Sequence, residues 1–344
     1  MKKILILVLL LVAGATQAQP AVRLAKTTGN PVLPGWCADS GAAIFGKQYW
    51  IYSTFSAPTG SMYFANQPDP NTRISLNQRL FLDAFSSPDL VYRTKHPHVF
   101  YTFRVKWVRH AMWAPLITEK NGNQYLFFGA NDIQNDQQCG GIGVTVAIDP
   151  ADPFRDHLGH SSFADRFYNH AQPINQLIFK DGIGKYYFVS GWAHCNIAQL
   201  NDDFTGFVPF AVGTTFRAFT PEGYVDGPIM FLRRGKYYFM WSEGEWTGPS
   251  YSVALAVGDS FFGSLRRVGK ALQQDLAVGT GAGHHSVLQV PGTDKWCIAY
   301  HRHPLGDNEG NHLKACIDEM QFDQAGRILP VKTSTQDVAT QFLR

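Results

Sequence analysis

One short pattern recurs five times in this chain and restricts its fold more than any other feature. A Gly-Lys type turn followed by aromatic and β-branched residues occurs as GKQYWIYST from Gly46, GNQYLFFGA from Gly122, GKYYFVSGW from Gly184, GKYYFMWSE from Gly235 and a divergent DKWCIAYHR from Asp294. Each block reads as a strand entered through a tight hairpin turn. After each comes another strand-like run ending in a polar corner, such as AFSSPDLVY or AVGDSFFGSL. The turns lie 51 to 76 residues apart, room for four-stranded units with variable loops. Convincing helical periodicity is absent. Five such units predict an all-β, five-bladed β-propeller whose blades circle a central channel. A two-sheet sandwich also has short strands and regular turns, but recurrence of one pattern favours the propeller.

The chain opens with MKKILILVLLLVAGATQAQP, in which two lysines precede an apolar run and a small-residue exit at Thr16-Gln17-Ala18. Residues 1–18 are therefore expected to be a secretory signal peptide, with 19–344 as a single propeller domain in a secreted or periplasmic protein. The apolar run is shorter than the roughly 18 residues of a membrane-spanning helix. Without the two leader lysines, 28 Lys and Arg face 27 Asp and Glu, so nothing in the charge points to nucleic acid or an anionic membrane. Charged residues make up only 17% of the chain, while 25 Phe, 14 Tyr and 8 Trp suit a large sheet protein that binds flat apolar faces, sugars included. The mature protein is expected to be a monomer.

Counting back from each turn locates the start of the preceding strand, the one nearest the axis of a propeller. Nine residues before Gly122, Gly184, Gly235 and Asp294 stand Trp113, Asn175, Asp226 and His285, and seven before Gly46 stands Asp39. Side chains alternate faces with period two, so these offsets preserve facing. Asp39, Trp113, Asn175, Asp226 and His285, or its neighbour His284, are thus expected to converge. Alone, Asp226 in Val-Asp-Gly-Pro would pass for ordinary turn chemistry; a shared register with a second acid makes it a candidate catalytic group.

The stretches NPVLPGWCADS, MWAPLI, AQPINQLIFKD, GYVDGPIMF, YYFMWSEGEWTGPSYSVALA and GAGHHSV, in this order over nearly all of the mature chain, resemble glycoside hydrolase family 43, propeller enzymes acting on arabinose- and xylose-containing glycans. The resemblance implies inverting hydrolysis of O-glycosidic bonds, of α-L-arabinofuranosidase or β-xylosidase type, with an oligosaccharide or polysaccharide as substrate. One carboxylate activates water, and another carboxylic acid protonates the leaving oxygen. By resemblance Asp39 is the base, although Ser40 stands where the family has proline. Asp226 takes the place of the family's glutamic acid, and Asn175 that of the aspartate that tunes it. Asp is one methylene shorter than Glu, and Asn175 cannot ionise, so it raises no acid's pKa by repulsion. A sugar-binding propeller with impaired or absent catalysis is the alternative these two changes leave open.

The resemblance also places Trp113 in the pocket wall, where packing between blades is its other reading, and offers Arg302 to the substrate, where closing a blade is the other. Trp36, Trp192, Trp241 and Trp246 lie near strand ends, as core or as subsite walls, with Trp36 the candidate for the substrate. No cofactor is required. The family often keeps a calcium in the channel near a histidine matching His284, although calcium ordinarily prefers oxygen ligands. Of five cysteines, Cys297 and Cys316 fall on neighbouring strands of the last blade and are candidates for a disulfide.

Overall fold

The computed structural model describes residues 19–24, 29–56, 81–101, 104–108, 111–131, 140–161, 168–263, 265–307 and 309–343. The leader proposed for residues 1–18 and Cys139 lie outside these. The described residues form strands and turns, with no α-helix. In chain order the first blade holds β1 (Val22–Arg23), β2 (Trp36–Phe45), β3 (Gln48–Ser56), β4 (Phe81–Ser87) and β5 (Thr94–Tyr101). The second holds β6 (Ala111–Lys120), β7 (Asn123–Asn131), β8 (Gly141–Ala147) and β9 (Arg155–Asp156). The third holds β10 (Leu177–Lys180), β11 (Tyr186–Ser190), β12 (Asn196–Leu200), β13 (Phe207–Val208) and β14 (Arg217–Ala218). The fourth holds β15 (Asp226–Arg233), β16 (Lys236–Glu243), β17 (Ser252–Gly258) and β18 (Arg266–Leu272), and the fifth β19 (Thr280–Gln289), β20 (Trp296–His303) and β21 (Lys314–Met320). Each blade is a separate antiparallel sheet, so the protein is the five-bladed propeller that the recurrence predicts.

The recurring block is the second strand of each blade. It reads as a nearly unbroken apolar run because both of its faces are buried, one against each neighbouring blade. In β16, Tyr238 and Met240 pack toward the fifth blade while Phe239 and Trp241 pack toward the third. In β3, Trp50 and Tyr52 pack toward the second blade while Tyr49 and Ile51 pack toward the fifth. Five apolar clusters fill the five gaps between blades in this way. Full burial of one such side chain contributes roughly 1.5–3 kcal/mol. Trp241 is wholly enclosed and belongs to the core.

Ring closure uses the segment ahead of β2. The N–H of Val32 donates to the Ala315 carbonyl and that of Cys37 to the Leu313 carbonyl, while the Asn30 side-chain amide exchanges two hydrogen bonds with the backbone of Ile317. The three-stranded last blade thereby acquires a fourth edge from the start of the chain. The proposed Cys297–Cys316 disulfide does not form, and both thiols are free. Cys297 pairs in register with Glu319 and Cys316 with Tyr300, so the two cysteines project from opposite faces of the sheet. Cys297 enters the core shared with the first blade and Cys316 the core shared with the fourth.

Candidate active site

Every blade carries a left-handed residue at or near the start of its innermost strand: Asp39 (φ 50°), Ala114 (φ 50°), Asn175 (φ 57°), Gly227 (φ 56°) and His284 (φ 37°), the last preceded by a left-handed Gly281 (φ 56°). In four blades this residue sits in a β-bulge, between the register pairs of Ala38 and Gly41, Trp113 and Leu116, Asp226 and Ile229, and Gly283 and Ser286. A bulge sets two residues opposite one and re-aims the chain. The cost of a left-handed non-glycine residue, about 1–3 kcal/mol, is typical of functional sites.

These bulges correct the register deduced by counting. Asp39 and Asn175 occupy the left-handed position with His284, which is the inward histidine position in place of His285. Asp226 and Trp113 stand one residue earlier, level with Ala38. The two acids nevertheless meet. Asp39 Oδ1 lies 3.2 Å and Asp226 Oδ1 4.0 Å from the same atom, His284 Nδ1, so the two oxygens are at most about 7.2 Å apart. Both acids are nearly enclosed, with 11% of the Asp39 side chain and 5% of that of Asp226 left exposed.

Their surroundings differ. Thr54 Oγ1 donates to Asp39 Oδ2 at 2.9 Å and accepts from the Ala114 N–H, tying Asp39 to the second blade. The Asp39 N–H donates to His301 Nδ1 at 3.2 Å. That bond keeps Nδ1 unprotonated, and burial holds His301 neutral, with its pKa well below the usual histidine value. Asp226 accepts from Tyr251 Oη at 2.5 Å. Burial raises the Asp226 carboxyl pKa, opposed by His284, by the hydrogen bonds of Tyr251 and Ser242, and aided by the charge of Asp39. Asn175 is not among these groups. It is buried, and its neighbour Gln176 links the blades by donating to the carbonyls of Ala114 and Phe127.

The remaining candidates divide. Trp113 is half-buried and shares the register of Asp226. Trp36 is half-buried at the start of β2, its ring stacked on His312 at 4.1 Å with Lys314 Nζ 3.8 Å from the ring centre. Arg302 does not come to the acids: its guanidinium is buried against Tyr300 Oη and the Ser334 carbonyl, where it fastens the C-terminal segment to the last blade. Trp192 and Trp246 are half-buried. His285 is buried, and both of its ring nitrogens lack a hydrogen-bond partner. Among the described residues no three His, Cys, Asp or Glu side chains are arranged to hold a metal ion, and His284 turns Nδ1 to Asp39. Counting missed Thr54 and His301, which lie on second strands, and Tyr251, which lies just ahead of β17. His301 stood in the YHRH run beside Arg302, and Tyr251 in the Ser-Tyr-Ser that begins β17.

The structure is thus a propeller in which two carboxyl groups approach one imidazole nitrogen, one held by burial and one bonded by Thr54. The model of glycosyl hydrolases family 43 matches residues 28–328, and the chain belongs to that family. It is 35% identical over 345 residues to the β-D-galactofuranosidase xynD of Aspergillus niger, covering 94% of this chain and 92% of that protein. It is 26% identical over 264 residues to a β-xylosidase of Xylanibacter ruminicola, covering 66% of this chain and 76% of that one. A thermostable family-43 glycoside hydrolase of known structure superposes with a TM-score of 0.71 at 20% identity, over 92% of this chain and 99% of that one.

Proposed function

We propose that the protein removes terminal furanosyl residues, α-L-arabinofuranosyl or β-D-galactofuranosyl, from glycans by inverting hydrolysis. The observation that carries this reading is the approach of Asp39 and Asp226 to one imidazole nitrogen. Asp39 takes a proton from water as the water oxygen bonds to the anomeric carbon. Asp226, protonated, gives its proton to the departing glycosidic oxygen as the carbon–oxygen bond breaks. Burial favours the protonated form of Asp226 and so suits it to the acid role. The ceiling on the oxygen separation overlaps the range of about 6.5–9.5 Å that leaves room for an attacking water.

The sugar is argued from likeness and stereochemistry. The relative of 35% identity carries galactofuranosidase in its name, which favours a furanosyl over a xylosyl substrate. The rings of β-D-galactofuranose and α-L-arabinofuranose share their configuration and differ in the exocyclic arm, so one site shape serves either. Export to the periplasm or beyond is part of the proposal and rests on the sequence pattern of residues 1–18.

The test is incubation of the purified protein with p-nitrophenyl α-L-arabinofuranoside, β-D-galactofuranoside and β-D-xyloside, with proton NMR of the first product formed. Turnover of a furanoside ahead of the xyloside, with inverted configuration in the released sugar, is expected. Sugar binding without turnover of any of the three would instead establish a carbohydrate-binding propeller.

A further inference from the structure

The two acids belong to a closed circuit of contacts that includes a residue with no role so far. From Asp226 Oδ1 the circuit runs through the Tyr251 hydroxyl, then through the Tyr251 ring, stacked on His301 at 5.7 Å and 16°. His301 Nδ1 accepts the Asp39 N–H, and His284 Nδ1 returns from Asp39 to Asp226. The His284 and His301 rings are themselves stacked, 6.0 Å apart at 26°. Tyr251 is 1% exposed, and its ring occupies space that a side chain at position 283 would need: a Cβ on Gly283 would come within 2.2 Å of it. The phenol is thus wedged between the backbone of β19 and the face of His301, with its hydroxyl aimed at the acid.

Resting on the reading of Asp226 as the acid, we infer that Tyr251 is the positioning residue of that acid, doing in this chain what a third carboxylate cannot do from Asn175. An aspartate is shorter than a glutamate and has fewer side-chain torsions, so one rigid donor on Oδ1 fixes the plane of its carboxyl group. Asn175 is absent from the groups acting most strongly on Asp226, whereas Tyr251 is present. The titratable groups around the acid are His284 on β19, Asp39 on β2, Tyr251 at the head of β17 and Tyr224 just ahead of β15. Of these, Tyr251 alone is hydrogen-bonded to Asp226.

The experiment uses the whole protein with two changes at one position: Tyr251→Phe, and 3-fluorotyrosine incorporated at residue 251. Rates are read across pH on a furanosyl oligosaccharide, whose leaving group needs a proton, and on a 2,4-dinitrophenyl furanoside, whose leaving group does not. Tyr251→Phe is expected to lower kcat on the oligosaccharide by about 10- to 100-fold with little change in KM, within the usual worth of a placed proton donor. On the dinitrophenyl substrate the loss should stay below about threefold, since that step bypasses the acid. The hydroxyl favours the ionised acid, so its removal should move the basic limb of kcat/KM to higher pH, while the stronger donor fluorotyrosine should move it lower. An equal fall on both substrates with an unmoved basic limb overturns the inference, as does no fall at all. Should Tyr251→Phe fail to fold, an unmoved limb in the fluorotyrosine protein decides against it. If Asp226→Ala lacks the same substrate split, the assignment of the acid has failed; if Asp226→Ala shows it and the Tyr251 proteins do not, only the role of Tyr251 has.

Discussion

The surroundings of Asp39 and of Asp226 differ although both acids face one histidine. Asp39 is the bulged, left-handed residue of its strand and is held by Thr54 of its own blade, itself backed on Ala114 of the second, and by His301 of the fifth. Asp226 precedes its bulge, lets Gly227 take the left-handed conformation, and is hydrogen-bonded by two hydroxyls of its own blade, those of Tyr251 and Ser242. Polar contacts from its own blade and from the fifth suit a carboxylate that must be ionised to accept a proton. Deeper burial suits one that must carry a proton at the start of the reaction. On the proposed reading two chemically identical side chains serve as base and acid, and they differ in where the bulge falls relative to each.

The sharpest way to break this comparison is to remove the base. Asp39→Asn should lower kcat/KM on furanosides by up to about 10⁴-fold while calorimetry still detects sugar binding, because the amide preserves shape but accepts no proton. Activity equal to that of the unaltered protein removes Asp39 from the mechanism. Asp226→Asn should lose about 10²- to 10³-fold on poor leaving groups and far less on activated ones. The same substitution also reports on stability. The folded-state pKa of Asp226 is raised above its unfolded value, so its protonated form stabilises the fold at low pH, and that contribution disappears as pH rises through the folded value. Asp226→Asn should therefore gain stability relative to the unaltered protein at neutral pH and not in acid, as followed by denaturant unfolding at several pH values. A gap that does not vary with pH would mean that the carboxyl is solvated like an ordinary surface acid.

A smaller effect is expected at Gly283, which bears on the acid's side of the comparison. Gly283→Ala places a methyl group against the Tyr251 ring, and overpacking of this kind destabilises by roughly 1–3 kcal/mol. Urea unfolding measures it. Full stability would show that the ring has room to move, and hence that Tyr251 is not wedged.

The fold was legible because its determinant is repetitive and local: a turn followed by a strand apolar on both faces, five times over. Asp39 and Asp226 were legible for a related reason, since the innermost strand begins a fixed distance before each turn. Their register was not. A period of two cannot reveal a bulge, which inserts a residue without any apolar signature, and so Asp226 was set level with Asp39 and His285 was offered equally with His284. Tyr251, Thr54 and His301 were hidden by another cause. They reach the acids from other strands and other blades, and no spacing along the chain encodes that approach. Arg302 has two readings, at the substrate or closing a blade, and its guanidinium bonds to Tyr300 Oη and to the Ser334 carbonyl of the C-terminal segment.

Asn175 gives the mildest prediction. It holds the left-handed position of the third blade, equivalent to that of Asp39, and is buried, yet Asp226 is governed mainly by burial, His284, Tyr251 and Ser242. Asn175→Asp adds a negative charge at the left-handed position of the third blade, and a like charge near the acid disfavours its ionisation. The basic limb of kcat/KM should move upward, and the rate near neutral pH should rise by a few-fold, as more of the acid keeps its proton. The shift should be larger in the Tyr251→Phe background, where the opposing hydroxyl is gone and the new charge acts on a less firmly held carboxyl. A fall in rate in the single variant, with the limb unmoved, would mean that the amide of Asn175 contacts the sugar directly, and that the third blade contributes to binding where its counterpart in the first contributes to proton transfer.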